Sequence, residues 1–176
     1  MDFNKIIKSC TENKHVDIYT NMSTSEQWIG NRNIYLIGKT KFNEDSIKPI
    51  LKDNGEDWDI LEYETDEKFD DMAKERILEA RYSFTVCSGK DTYIILFDEI
   101  GKLVFVNKSC FAPLKLTSEY KFYMRGEYVA VKKGMLLQAL IKPEYFDYSN
   151  NFITKQLAEV GTYISRAMAR IEAEDE

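Results

Sequence analysis

The chain reads as an α+β domain: an antiparallel meander sheet of about five strands, a C-terminal amphipathic helix packed on it, and short N-terminal helices. Three observations predict this. Between Tyr82 and Ile141, short apolar runs alternate with turn sequences such as Ser88-Gly89-Lys90-Asp91, Arg125-Gly126 and Lys132-Lys133-Gly134. Towards the C-terminus, Ile153, Leu157, Val160, Ile164, Ala167, Met168 and Ile171 form one helical stripe. At 176 residues with 44% apolar and 13% aromatic side chains, the chain carries enough for one packed core. It is read as a single domain over 1–176. An acidic mixed half (1–79) precedes the meander (80–147), the packing helix (148–171) and an acidic tail (172–176).

Each element follows from local pattern. Phe3, Ile6, Ile7 and Cys10 have helical spacing, and Asn13-Lys14 ends that helix. Val16 and Ile18 alternate with polar neighbours, giving a strand from His15 to Tyr19. Met22 to Asn33 reads as a polar loop in which Trp28 and Ile29 fold back as a plug; Ile34 to Ile37 is a second strand. Asn43 caps a helix through Ile47, Ile50 and Leu51, which Pro49 restricts. Phe69, Met72, Ala73, Arg76, Ile77 and Ala80 recur every three to four residues, predicting a helix from Asp66 to Glu79. The meander then runs Tyr82–Val86, a central Tyr93–Phe97, Leu103–Val106, an edge strand Tyr120–Met124, Tyr128–Val131 and Met135–Ile141. Ser149 or Asn150 caps the last helix.

Little in the chain points to catalysis. Gly38-Lys39-Thr40 follows a strand, but a phosphate-binding loop needs a glycine where Asn33 stands, and Ile34 to Ile37 would block close approach of backbone to phosphate. His15 is the only histidine and has no evident nucleophile. Three cysteines (Cys10, Cys87, Cys110) at wide spacing argue against a disulfide framework and a zinc site, and point to a reducing cytoplasm. The start of the chain lacks the apolar core of a signal peptide, and no apolar run reaches the ~20 residues that span a bilayer. No cofactor, no metal, no catalytic residue and no membrane association are expected.

Charge is the strongest signal. Ten of the nineteen residues from Asp53 to Asp71 are acids, opposed only by Lys68, whereas Lys102 to Lys142 carries eight bases against two acids. An acidic band can imitate phosphates and occupy a nucleic-acid groove on another protein. Its expected partner-binding residues are Asp53, Glu56, Asp57, Trp58, Asp59, Glu62, Tyr63, Glu64, Asp66 and Glu67, with Trp58 and Tyr63 as aromatic anchors. A solvated helix face is the plainer alternative. In the basic segment, Lys108, Lys115, Lys121, Arg125, Lys132 and Lys133 lie among aromatics, a mixture that suits direct nucleic-acid contact. Lysines that guard strand edges give the same composition.

The stretch Glu26-Gln27-Trp28-Ile29-Gly30-Asn31 with Ile34-Tyr35, and the run Tyr128 to Pro143, resemble segments of small accessory proteins from phages and mobile elements of Firmicutes. The group includes type II anti-CRISPR inhibitors. The resemblance implies a non-enzymatic, stoichiometric inhibitor of a host defence complex in the bacterial cytoplasm, its partner a host protein or ribonucleoprotein such as a Cas9-type nuclease with guide RNA. The alternatives are a replication or recombination accessory protein that binds DNA through the basic sheet, and a metal-dependent nuclease or hydrolase using the paired acids.

Overall fold

The computed structural model describes residues 1–11, 13–51, 58–65, 69, 74–98, 103–146 and 158. Among these, ten strands form one mixed sheet, accompanied by two short helices, so the five-strand meander with a packed C-terminal helix is overturned. The elements run α1 (Phe3–Thr11), β1 (His15–Thr20), β2 (Gln27–Gly30), β3 (Ile34–Gly38), α2 (Glu44–Ile47), β4 (Asp59–Glu64), β5 (Arg76–Ser88), β6 (Asp91–Asp98), β7 (Leu103–Asn107), β8 (Tyr120–Arg125), β9 (Tyr128–Lys133) and β10 (Leu136–Ile141). A 3-10 turn, Lys108–Phe111, follows β7. The expected helix over 148–171 lies outside the described residues except for Ala158, which is helical.

The sheet order is β4-β1-β2-β3-β10-β9-β8-β5-β6-β7. Three antiparallel meanders, β1–β2–β3, β10–β9–β8 and β5–β6–β7, stand side by side. β4 adds to one end, parallel to β1 from His15↔Asp59 to Thr20↔Glu64, reached by a crossover through β2, β3 and α2. At the other end β7 curls back: Glu144 N donates to Phe105 O at 2.8 Å, bridging β7 to the segment just beyond β10. Part of the sheet is thereby drawn towards a closed ring, which shelters the β7 edge.

Four local readings change. The predicted loop over Met22–Asn33 contains β2, whose four residues are all buried, so no alternation betrayed it. Gln27 is tolerated there because its side chain imitates a strand partner: it donates to Thr20 Oγ1 (2.9 Å) and Phe42 O (3.0 Å) and accepts from Phe42 N (2.7 Å). The end of the helix predicted over Asp66–Glu79 is the start of β5, where Leu78 is buried between exposed Ile77 and Glu79, the period of a strand. Asp66 to Lys68 and Asp70 to Ala73 lie outside the described residues. β8, expected at an edge, is paired on both sides by β9 and β5. β6, expected at the centre, is next to last; its continuous buried run Tyr93–Leu96 reflects cover on both faces.

One face of the sheet carries the main core. Val16, Ile18, Ile29, Tyr35, Leu96, Phe122, Val131 and Ile141 meet Ile6, Ile7 and Cys10 of α1 and Ile47 of α2. Ile6 and Ile47 are completely buried, each contributing roughly 1.5–3 kcal/mol. α2 is short but well started: Asn43 Oδ1 accepts from Ser46 N and Ser46 Oγ accepts from Asn43 N, a capping box. On the other face Trp28, Tyr19, Phe69, Ala130 and Leu140 form a second cluster, and Val86, Ile95 and Phe105 a third. The β2–β3 turn needs Gly30, because a Cβ there would stand 1.9 Å from Asn33 O.

Candidate functional site: an acidic strand edge and a basic cleft

The acidic band is a strand where described. β4 contributes Asp59, Glu62 and Glu64 with Leu61 and Tyr63, all exposed, at one end of the sheet. Tyr63 is stacked on Tyr19 at 5.0 Å between ring centroids and 19° between planes; Tyr19 leans on Phe69, and Phe69 on Trp28. An aromatic ladder thus climbs from the second cluster to the strand edge and ends in Tyr63, on the face of β4 opposite to Glu62 and Glu64. Trp58 is half-buried against the main core, which supports β4 rather than offering an outward anchor. Asp53, Glu56, Asp57, Asp66 and Glu67 lie outside the described residues.

Two acids of β4 have internal tasks. Glu62 Oε1 accepts from Glu44 N at 2.9 Å, which ties α2 to the strand. Asp59 Oδ2 meets His15 Nδ1 at 2.8 Å, while Asp17 Oδ1 meets His15 Nε2 at 3.0 Å. Both ring nitrogens face carboxylates, so both serve as donors in the imidazolium form. Burial is the largest single influence on His15 and pulls its pKa down. The hydrogen bonds and charges of Asp59 and Asp17 outweigh it and leave the value above the usual 6.5. Glu64 has no ion pair or side-chain hydrogen bond among the described residues.

The basic segment does not form a single cationic surface. Arg125 and Lys132 are buried: Arg125 Nε donates to Glu75 Oε1 at 2.7 Å, and Lys132 Nζ to Glu75 Oε2 at 2.9 Å, with Lys132 also over the Tyr123 ring. These two therefore do not present themselves to a nucleic acid. Lys133 is exposed but paired with Glu119 at 2.9 Å. Lys108, Lys115 and Lys121 are exposed, on the 3-10 turn, the following loop and β8.

A cluster that the sequence reading passed over surrounds a cleft of about 570 Å³ between α1, the β2–β3 turn, the 3-10 turn and the segment after β10. Its walls carry Lys5, Lys8, Arg32 and Lys142 against a single acid, Glu144, and the amides of Asn13, Asn31, Asn33 and Asn107. Asn33 organises it: Oδ1 accepts from Lys142 N at 2.9 Å and Nδ2 donates to Cys110 Sγ at 3.3 Å. Tyr35 donates its hydroxyl to Cys110 O at 2.8 Å. Arg32 pairs with Glu144 at 3.1 Å, and Lys142 with Glu127. The signal was present as Asn31-Arg32-Asn33, but its partners are more than seventy residues away.

Burial raises the pKa of the Cys110 thiol although Ser109, Asn33 and Arg32 act against it, and burial pushes Cys10 up to about 12; both are held as thiols, not nucleophilic thiolates. Among the described residues, no three His, Cys, Asp or Glu side chains come together as metal ligands. Nor is any described helix long and apolar enough to cross a membrane. No family model, no curated protein and no solved structure matches this chain.

Proposed function

We propose that the protein is a stoichiometric binding protein of phage or mobile-element origin. It docks its acidic strand edge on a basic, nucleic-acid-binding surface of a host defence complex, with a Cas9-type nuclease as the specific candidate. The observation that carries this reading is β4: exposed Glu62, Tyr63 and Glu64 in succession at the end of the sheet, with Tyr63 stacked on Tyr19. Tyr63 on one face of the edge strand and Glu62 and Glu64 on the other give the strand end an apolar anchor together with charges that steer it to a cationic groove. Direct DNA binding through the basic sheet is less well supported, because Arg125 and Lys132 are buried and bound to Glu75.

The test is titration of the protein into a guide-loaded Cas9-type nuclease while DNA cleavage is followed. Cleavage should fall to background near one equivalent and recover as salt rises. Asp59 and Glu62 help to hold the fold, so the informative variants are Glu64→Lys and Tyr63→Ala, with Glu62→Gln keeping the acceptor for Glu44 N. Each of the first two should weaken inhibition about tenfold, the range of a desolvated charge or aromatic anchor. Full inhibition by the Glu64→Lys, Tyr63→Ala double variant would remove β4 from the interface. No inhibition by the unaltered protein would remove this nuclease as its target.

A further inference from the structure

The geometry points to a second binding site, independent of the acidic edge: the asparagine-lined cleft binds a nucleoside monophosphate. The cleft's volume, about 570 Å³, lies within the ~300–1,000 Å³ range of small-molecule sites and exceeds what a bare anion fills. Its charge is opposite to that of the molecule, which carries a net −6. Three cations from two elements line it: Lys5 and Lys8 from neighbouring turns of α1, and Arg32 from the β2–β3 turn. Lys8 has no ion partner among the described residues. Arg32 uses one of its five donors on Glu144, and Lys5 stands 3.8 Å from Asp2. A phosphate placed between them would gain charge-assisted hydrogen bonds.

The remaining wall suits the other end of a nucleotide. Amides donate and accept side by side, the pattern that reads the edge of a base, and Asn13 and Asn31 supply them, while Asn107 Oδ1 is held by Ser109 N and Oγ and shapes the wall. Asn31 is informative because its Nδ2 is closed to solvent yet meets no acceptor among the described residues. A buried donor left unmet is costly and rarely retained without reason. Rotation of this amide towards the cleft would pair it with a ligand acceptor. Asn33 and Tyr35, already bonded to Lys142 N, Cys110 Sγ and Cys110 O, hold the floor in place before any ligand arrives.

Calorimetric titration of the full chain with each of the common ribonucleoside monophosphates, at low and at moderate salt, tests the proposal. Adenosine, ribose 5-phosphate and inorganic phosphate serve as comparison probes. At least one nucleotide should bind about tenfold more tightly than any of these three, and its affinity should fall with salt. Lys8→Ala and Asn31→Ala should each reduce that affinity about tenfold, while Lys39→Ala, exposed and outside the cleft, should leave it unchanged. Circular dichroism of each variant separates lost binding from lost folding, and Glu64→Lys should bind the nucleotide as the unaltered chain does. Equal affinity for ribose 5-phosphate or inorganic phosphate would overturn recognition of the base. Absence of binding by every nucleotide, or binding that survives Lys8→Ala and Asn31→Ala unchanged, would overturn the site.

Discussion

His15 shows how one side chain ties the acidic strand to the rest of the molecule. It stands opposite Asp59 in the β1–β4 register and bonds to Asp17 on its own strand. Burial lowers its pKa, but the two carboxylates prevail and the folded-state value lies above 6.5. A group whose pKa is raised on folding stabilises fully below its unfolded pKa, and the contribution is lost as pH rises through the folded value. Stability measured by urea denaturation should therefore decline as pH climbs from about 6 to 8, below the range where the buried thiols begin to matter. His15→Gln, which keeps a donor but cannot titrate, should flatten that decline. An identical pH profile for both proteins would show that the imidazolium contributes nothing. The sequence identified His15 as the only histidine and placed it at a strand start, but not its partners: Asp59 is 44 residues away, and only a parallel crossover brings it opposite.

At the scale of elements, what was legible depended on whether a strand was an apolar run bounded by turn residues. β1, β3, β9 and β10 announced themselves through apolar runs between turns, and the capping box announced α2. β2 is buried on every residue, so it resembled an apolar plug in a loop. β4 carries three acids in six residues, a composition depleted in strands, and it is held by Trp58, Ile60 and the neighbouring β1 rather than by propensity. The basic segment misled in the opposite direction. Its charges were plain, but Glu75, which lies just before β5, takes up both Arg125 and Lys132 across the β8–β9 pair. That shared carboxylate fixes the entry to β5 against two other strands, which predicts a large effect of one atom's change. Glu75→Gln should destabilise the protein by about 3 kcal/mol, the cost of removing the partner from buried charges. Lys121→Gln, exposed on the same β8, should cost under about 0.5 kcal/mol. Equal and small effects in equilibrium denaturation would mean that the cluster is wet rather than buried.

Over the whole molecule, the polarity written along the chain is not the polarity of the surface. The acidic band remains outward where it is described, whereas in the basic segment Arg125, Lys132, Lys133 and Lys142 pair with Glu75, Glu119 and Glu127 and Lys108, Lys115 and Lys121 stay exposed. A separate cationic concentration is the cleft, assembled from α1, a hairpin turn and two later segments. The same assembly grades stability across the sheet. β9 and β10 sit between β3 and β8, with Val129 to Val131 and Ala139 to Ile141 completely buried. β4 is paired by β1 alone among the described strands and exposes most of its side chains. Local opening free energies follow buried contacts and two-sided pairing. Native-state hydrogen exchange should therefore find the slowest amides in β9 and β10, exchanging only by global unfolding, and the fastest strand amides in β4. A docking partner would slow the exchange of β4 without altering β9 or β10. Protection of β4 equal to that of β10 in the free protein would contradict this gradient, because it would require pairing on the side of β4 away from β1.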